Sequence, residues 1–191
     1  MTNPRQTTVI VTLKSVDLAT RTGKFILEPV GSDPLPPPTG PHQELLFENN
    51  KHDGVDIEFV LIDATNQQYT FPPAKKLADA VSSELGATDL CPKQGTSDVL
   101  IPKSINGPNN NILRVHNPNQ NIPGGPKLTG PFSYVLWVTN DNGKNWIALD
   151  PGGQNMNGAT VRLSWSAVLV ATAIFAVGTV FALGMRREND R

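Results

Sequence analysis

Apolar and polar positions alternate over short stretches through residues 1–149, and Gly, Pro, Asn and Asp cluster between those stretches. A period of two, interrupted by turn formers, predicts short β-strands joined by loops. Residues 7–13 are dense in β-branched side chains and predict a first strand. Residues 24–28 follow a turn holding Gly23, so the two segments are expected to form a hairpin. Further strands are expected at 44–48, 56–63, 69–71, 98–101, 112–116, 131–138 and 145–149. Within 56–63, Ile57, Phe59 and Leu61 share one face while Val60 and Ile62 cover the other, which predicts a central strand buried on both sides.

Two stretches depart from this rhythm. Over residues 74–85 the apolar side chains Leu77, Val81 and Leu85 lie four apart, and Gly86 follows where a C-cap glycine belongs. That spacing predicts one short helix inserted between strands. Residues 29–41 hold too many prolines to donate a strand or helix ladder and predict an extended, polyproline-type loop.

The pattern changes again at the C-terminus. Residues 163–185 carry no Asp, Glu, Lys or Arg, and the run 165–185 is apolar almost throughout. A bilayer core of about 30 Å takes about 20 helical residues to cross, so a transmembrane helix is expected at 164–185. Trp165 stands at one end, where an amphipathic ring suits the headgroup level, and Arg186 and Arg187 bound the other. Ala167 with Ala171, and Gly178 with Ala182, have the small-residue spacing that permits close helix packing and self-association. Residues 150–163 read as a Gly/Asn-rich linker and 186–191 as a short basic tail. Sidedness is contested. Arg186, Arg187 and Arg191 would hold the tail in the cytoplasm under the positive-inside rule, whereas a folded body is hard to move across a bilayer. The tail-anchored arrangement, with the body facing the cytoplasm, is the expectation.

The whole is therefore expected to be mainly β. Residues 1–149 predict an antiparallel, immunoglobulin-like β-sandwich with one short inserted helix, followed by a single C-terminal transmembrane helix. Composition narrows the function. With 16 Lys and Arg against 17 Asp and Glu, the chain lacks the basic excess of a general nucleic-acid binder. Its single cysteine allows no internal disulfide framework. No nucleophile elbow, phosphate-binding loop or metal-ligand spacing is present, so neither catalysis nor a cofactor is expected.

One local motif is sharper. In Thr139-Asn-Asp-Asn-Gly-Lys-Asn-Trp146, Asn142-Gly143 suits a tight turn, Asp141 can accept from the turn's amides, and Trp146 can fold back over the hairpin. Thr139, Asp141, Gly143 and Trp146 together resemble the Asp-box hairpin of sialidases and related proteins, with Asn145 standing where that motif has Thr. The resemblance implies a structural hairpin and no catalytic role. The remaining expectation is a membrane-anchored, non-enzymatic β-sandwich that presents its loops to a protein partner. The alternative is a membrane-tethered carbohydrate-binding module, with Tyr134 and Trp137 exposed for stacking against a sugar.

Overall fold

The computed structural model describes residues 4–40, 43–47, 54–85, 92–118, 130–140 and 143–155. The chain divides into two compact units, Met1–Gly158 and Ala159–Arg191, and the second lies outside the described residues. The expected span at 164–185 and the tail therefore fall there too. Among the described residues no helix is long and apolar enough to cross a membrane.

The first unit is mainly β. Its described residues form β1 (Arg5–Asp17), β2 (Thr22–Val30), β3 (Leu45–Phe47), β4 (Val55–Asp63), β5 (Val81–Leu85), β6 (Ile101–Asn106), β7 (Ile112–Asn117), β8 (Gly130–Asn140), β9 (Asn145–Leu149) and β10 (Gly152–Asn155). These join into one sheet in the order β3-β10-β8-β9-β2-β1-β4-β7-β6, with β5 pairing β8. The sheet curls until β4 faces β8 across the core, where the Phe59 and Tyr134 rings lie 6.3 Å apart. Phe132 stacks at a tilt against both Tyr134 (5.8 Å) and Phe47 (5.6 Å).

The expected first hairpin is present: β1 and β2 pair antiparallel from Thr8↔Val30 to Asp17↔Thr22. The sheet is nevertheless mixed. β1 runs parallel to β4 from Arg5↔Val55 to Leu13↔Asp63, and β3–β10 and β2–β9 are also parallel. The expectation of an antiparallel sheet is corrected at these three pairings. Alternating side chains report which face is buried and carry no information on strand direction. Parallel neighbours need a long crossover, and between β1 and β4 the chain runs through β2, the proline-rich segment and β3 before starting again from the same end.

β4 is central, as expected, with β1 on one side and β7 on the other. Its burial is one-sided: Val55, Ile57, Phe59 and Leu61 are buried, whereas Ile62 is 48% exposed. The helix expected over 74–85 is corrected more fully. A 3-10 segment occupies Ala74–Asp79 and gives way to β5. The spacing of Val81 and Leu85 fits two strand repeats as well as one helical turn. Pairing decides between them: β5 bonds along β8 from Val81↔Leu136 to Leu85↔Phe132. A second tie fixes the strand, because the buried Ser83 hydroxyl accepts the amides of Val99 (3.0 Å) and Leu100 (2.8 Å).

The proline-rich segment is extended and strapped to the body. Leu35 is buried in the core, and the Arg5 guanidinium donates to Asp33 Oδ1 (2.8 Å) and to the carbonyl of Pro34 (2.7 Å). At the other end of the chain, the expected linker at 150–163 begins with a strand. β10 pairs β8 from Gly152↔Ser133 to Asn155↔Gly130, so it finishes beside the start of β8.

Candidate functional site

The end of the sheet opposite that finish carries a groove. Three connections build it: the turn after β4, the link between β6 and β7, and the β8–β9 hairpin. The groove is open, with a volume of about 1040 Å³. Its walls include Asn66, Gln68, Tyr69, Asn109, Asn111 and Asn140, so it is rich in amides.

Asp63, at the end of β4, shapes the first wall. Its Oδ1 accepts the Thr65 amide (2.9 Å) and hydroxyl (2.6 Å), and its Oδ2 accepts the Tyr69 amide (3.0 Å). Burial pushes the Asp63 carboxyl up, but the bonds from Thr65, Tyr69 and Gln67 outweigh it and hold the group below its ordinary value. Asn66 and Gln68 take left-handed backbone angles (φ 61° and 60°) to complete the turn. Asn109 and Asn110 do the same in the second wall (φ 56° and 55°). Asparagine is enriched at such angles, which accounts for the run Asn109-Asn-Asn111.

Backbone bonds lock the three walls together. Leu61 donates to the Asn111 carbonyl (2.8 Å), Phe71 donates to that of Asn110 (3.0 Å), and Thr70 exchanges bonds with Thr139 (2.9 and 2.8 Å). Two buried polar atoms among the groove residues have no partner: the Tyr69 hydroxyl and Asn111 Oδ1. Tyr69 is 3% exposed. Burial, and then the Asp63 charge, raise its hydroxyl above the ordinary tyrosine value.

The Asp-box stretch forms the third wall. Thr139 pairs with Trp146 and Asn140 with Asn145, so β8 and β9 make the expected hairpin. Gly143 has φ +89°, its amide donates to the Asn140 carbonyl (3.1 Å), and its own carbonyl accepts the Trp146 indole N–H (3.0 Å). The Lys76 ammonium lies 5.0 Å from the centre of the Trp146 ring, a cation–π contact. Asn145, which replaces the motif's Thr, bonds Asn140 Oδ1 through its side-chain amide (2.9 Å). Asp141 lies outside the described residues.

Tyr134 and Trp137 do not make one platform. Tyr134 is fully buried between Phe59 and Phe132, and its hydroxyl, unpartnered, is pushed well above its ordinary value by burial and then by the Asp150 charge. Trp137 is half-buried and donates its indole N–H to Ser82 Oγ (2.9 Å). An odd separation on a strand places the two side chains on opposite faces, a consequence of the period of two that the numbering already contains.

His116, which shows no partner in the sequence, has one in the fold. It faces Asp56 across β7 and β4, with Nδ1 and Oδ1 2.6 Å apart, and the Gln6 amide donates to Asp56 Oδ2 (2.8 Å). Arg114 and Glu58 pair in the same way two residues along (2.7 Å). Both are cross-strand stitches outside the groove. No group of three His, Cys, Asp or Glu is close enough to hold a metal ion among the described residues. Trp165, Arg186, Arg187 and the small residues Ala167, Ala171, Gly178 and Ala182 lie outside the described residues.

The groove is what sequence reading missed. Its signals were present as Asn and Gly clusters at 106–111 and 139–145, but nothing in the order of residues shows that these loops meet. No family model matches the chain, and no similar curated protein is found.

Proposed function

We propose that the protein is a membrane-anchored, non-enzymatic binding module whose loop end receives a protein partner. Residues 164–185 are the anchor, with Trp165, Arg186 and Arg187 at its margins, and Ala167, Ala171, Gly178 and Ala182 offer a face for self-association. The finer reading of the body, an immunoglobulin-like sandwich with loops gathered at its ends, belongs to this proposal, as does a body facing the cytoplasm. The observation that supports it best is the groove, about 1040 Å³ in volume and built from three separate connections at one end of the sheet. A stable sheet holding polar loops at its end is a common way to position a recognition surface.

Site-specific photocrosslinking tests it. A photoreactive residue at the exposed positions Asn66 or Asn109, in native membranes, should yield a defined protein adduct. The same group at exposed Ser32, at the far end of the sheet, should not. Equal labelling from Ser32, or no adduct from either groove position, counts against the loop end as the docking surface. The alternative sugar platform loses Tyr134 to the core, and Trp137 by itself does not carry it.

A further inference from the structure

We propose that the groove recognises a neutral, hydroxyl-rich ligand, a saccharide. This rests on the loop end being the recognition surface, and it specifies what that surface takes. It uses none of the aromatics first expected to stack against a sugar.

Charge is the first argument. Among the described residues lining the groove, Asp63 is the one charged side chain, and both its oxygens are engaged by the turn it organises. An anion would meet that carboxylate, and a cation would have to break the turn to reach it. A neutral ligand meets neither obstacle.

Hydrogen-bond chemistry is the second. The Tyr69 hydroxyl and Asn111 Oδ1 are buried and unpartnered, which natural structures generally avoid. Asn111 Oδ1 needs a donor, whereas the Tyr69 hydroxyl both donates and accepts. A ligand hydroxyl also does both, so one group can serve either atom once the Tyr69 and Asn111 side chains shift to bring these buried atoms to the groove surface. A peptide N–H only donates, and a peptide carbonyl only accepts. Around these atoms the side-chain amides of Asn66 and Gln68 each carry donors and an acceptor, as neighbouring sugar hydroxyls do. The volume, about 1040 Å³, is at the upper end of the usual range for ligand sites and leaves room for more than one ring.

The test uses the full chain in phospholipid nanodiscs, which contain no sugar-headed detergent. Chitotetraose, cellotetraose and maltotetraose are titrated by calorimetry, alongside a neutral Gly/Ser octapeptide. At least one saccharide should bind and the octapeptide should not. Tyr69→Phe should weaken that binding about fivefold, the worth of one ordinary hydrogen bond, without loss of folded structure. Asn66→Ala, at an exposed rim position, should weaken it as well.

A glycoprotein bearing neutral glycans, titrated before and after deglycosylation, separates a protein-borne sugar from a free one. Binding lost on deglycosylation identifies the protein-borne source, and binding of the free tetrasaccharide alone identifies the other. No saccharide binding, binding of the octapeptide alone, or saccharide binding unmoved by both substitutions overturns the inference. If saccharides fail while Asn66 and Asn109 still crosslink a protein, the loop-end reading stands and only the ligand class is wrong.

Discussion

At the residue scale, the hairpin turn shows how one backbone angle sets a local structure. Gly143 holds φ +89°, where a side chain on an L-residue is strained, and its carbonyl is the acceptor for the Trp146 indole. Gly143→Val should therefore destabilise the folded body by about 1–3 kcal/mol, read as a lowered denaturation midpoint at unchanged slope. A change near zero would mean that the turn has another conformation. The nearest atom to an added Cβ is Lys76 Nζ, at 3.6 Å, so crowding is not the cause and backbone strain is. That much follows from Asn142-Gly143 in the sequence. The burial of Tyr134 does not, because a tyrosine in a strand suits a core face and a ligand platform equally well until the opposite layer is known.

At the element scale, the turn from Asp63 to Tyr69 is held by one carboxylate. Its folded pKa lies below the ordinary value of 3.8, because the bonds from Thr65, Tyr69 and Gln67 outweigh desolvation. The sign follows directly. A depressed carboxylate stabilises the fold fully above the unfolded value and loses that contribution as pH falls through the folded one. The turn should keep its protection at pH 5 and above and lose it progressively as pH falls from about 3.8 through the lower folded value. Hydrogen exchange of the Thr65 and Tyr69 amides checks this. Asp63→Asn should flatten the pH dependence of both amides. If Asp63→Asn leaves the pH dependence of both amides unchanged, the carboxylate is not what holds the turn.

Elements also differ in how far their own residues specify them. The β1–β2 hairpin was legible because β-branched positions, Gly23 and near neighbours in sequence all agreed. The segment from Ala74 to Leu85 was not, because its apolar spacing suited a helical turn and a strand alike. β8 decided by offering a hydrogen-bonding edge to Val81–Leu85. Pairing is non-local, and the residues of one segment do not report it.

At the scale of the whole molecule, the first unit carries its own core. Every residue of the buried cluster lies between Val9 and Leu149. The second unit, Ala159–Arg191, contains the apolar run expected to cross a membrane. Limited proteolysis addresses both units at once. In sealed cells added protease should leave the body intact. After permeabilisation it should cut within 156–163 and release a folded, β-rich fragment. Release from sealed cells would place the body outside. Digestion without a stable fragment would mean that the body does not fold independently.

Read in order along the chain, the residues already specify a body that is mainly β, a β1–β2 pair, a β8–β9 turn at Gly143 and a C-terminal apolar run long enough to span a bilayer. These follow from local quantities: a period, a turn residue, a length. The parallel β1–β4 pairing, the strand at Val81–Leu85, the His116–Asp56 pair and the groove arise in the folded chain. Each depends on which distant segments meet. Hydrophobic alternation gives the buried face of a strand, whereas the burial energy it reports is nearly the same for either direction of a neighbour. Hydrogen-bond register and loop closure across the whole chain select one arrangement, and the groove exists because that choice brings Asp63, Asn111 and Asn140 to the same end.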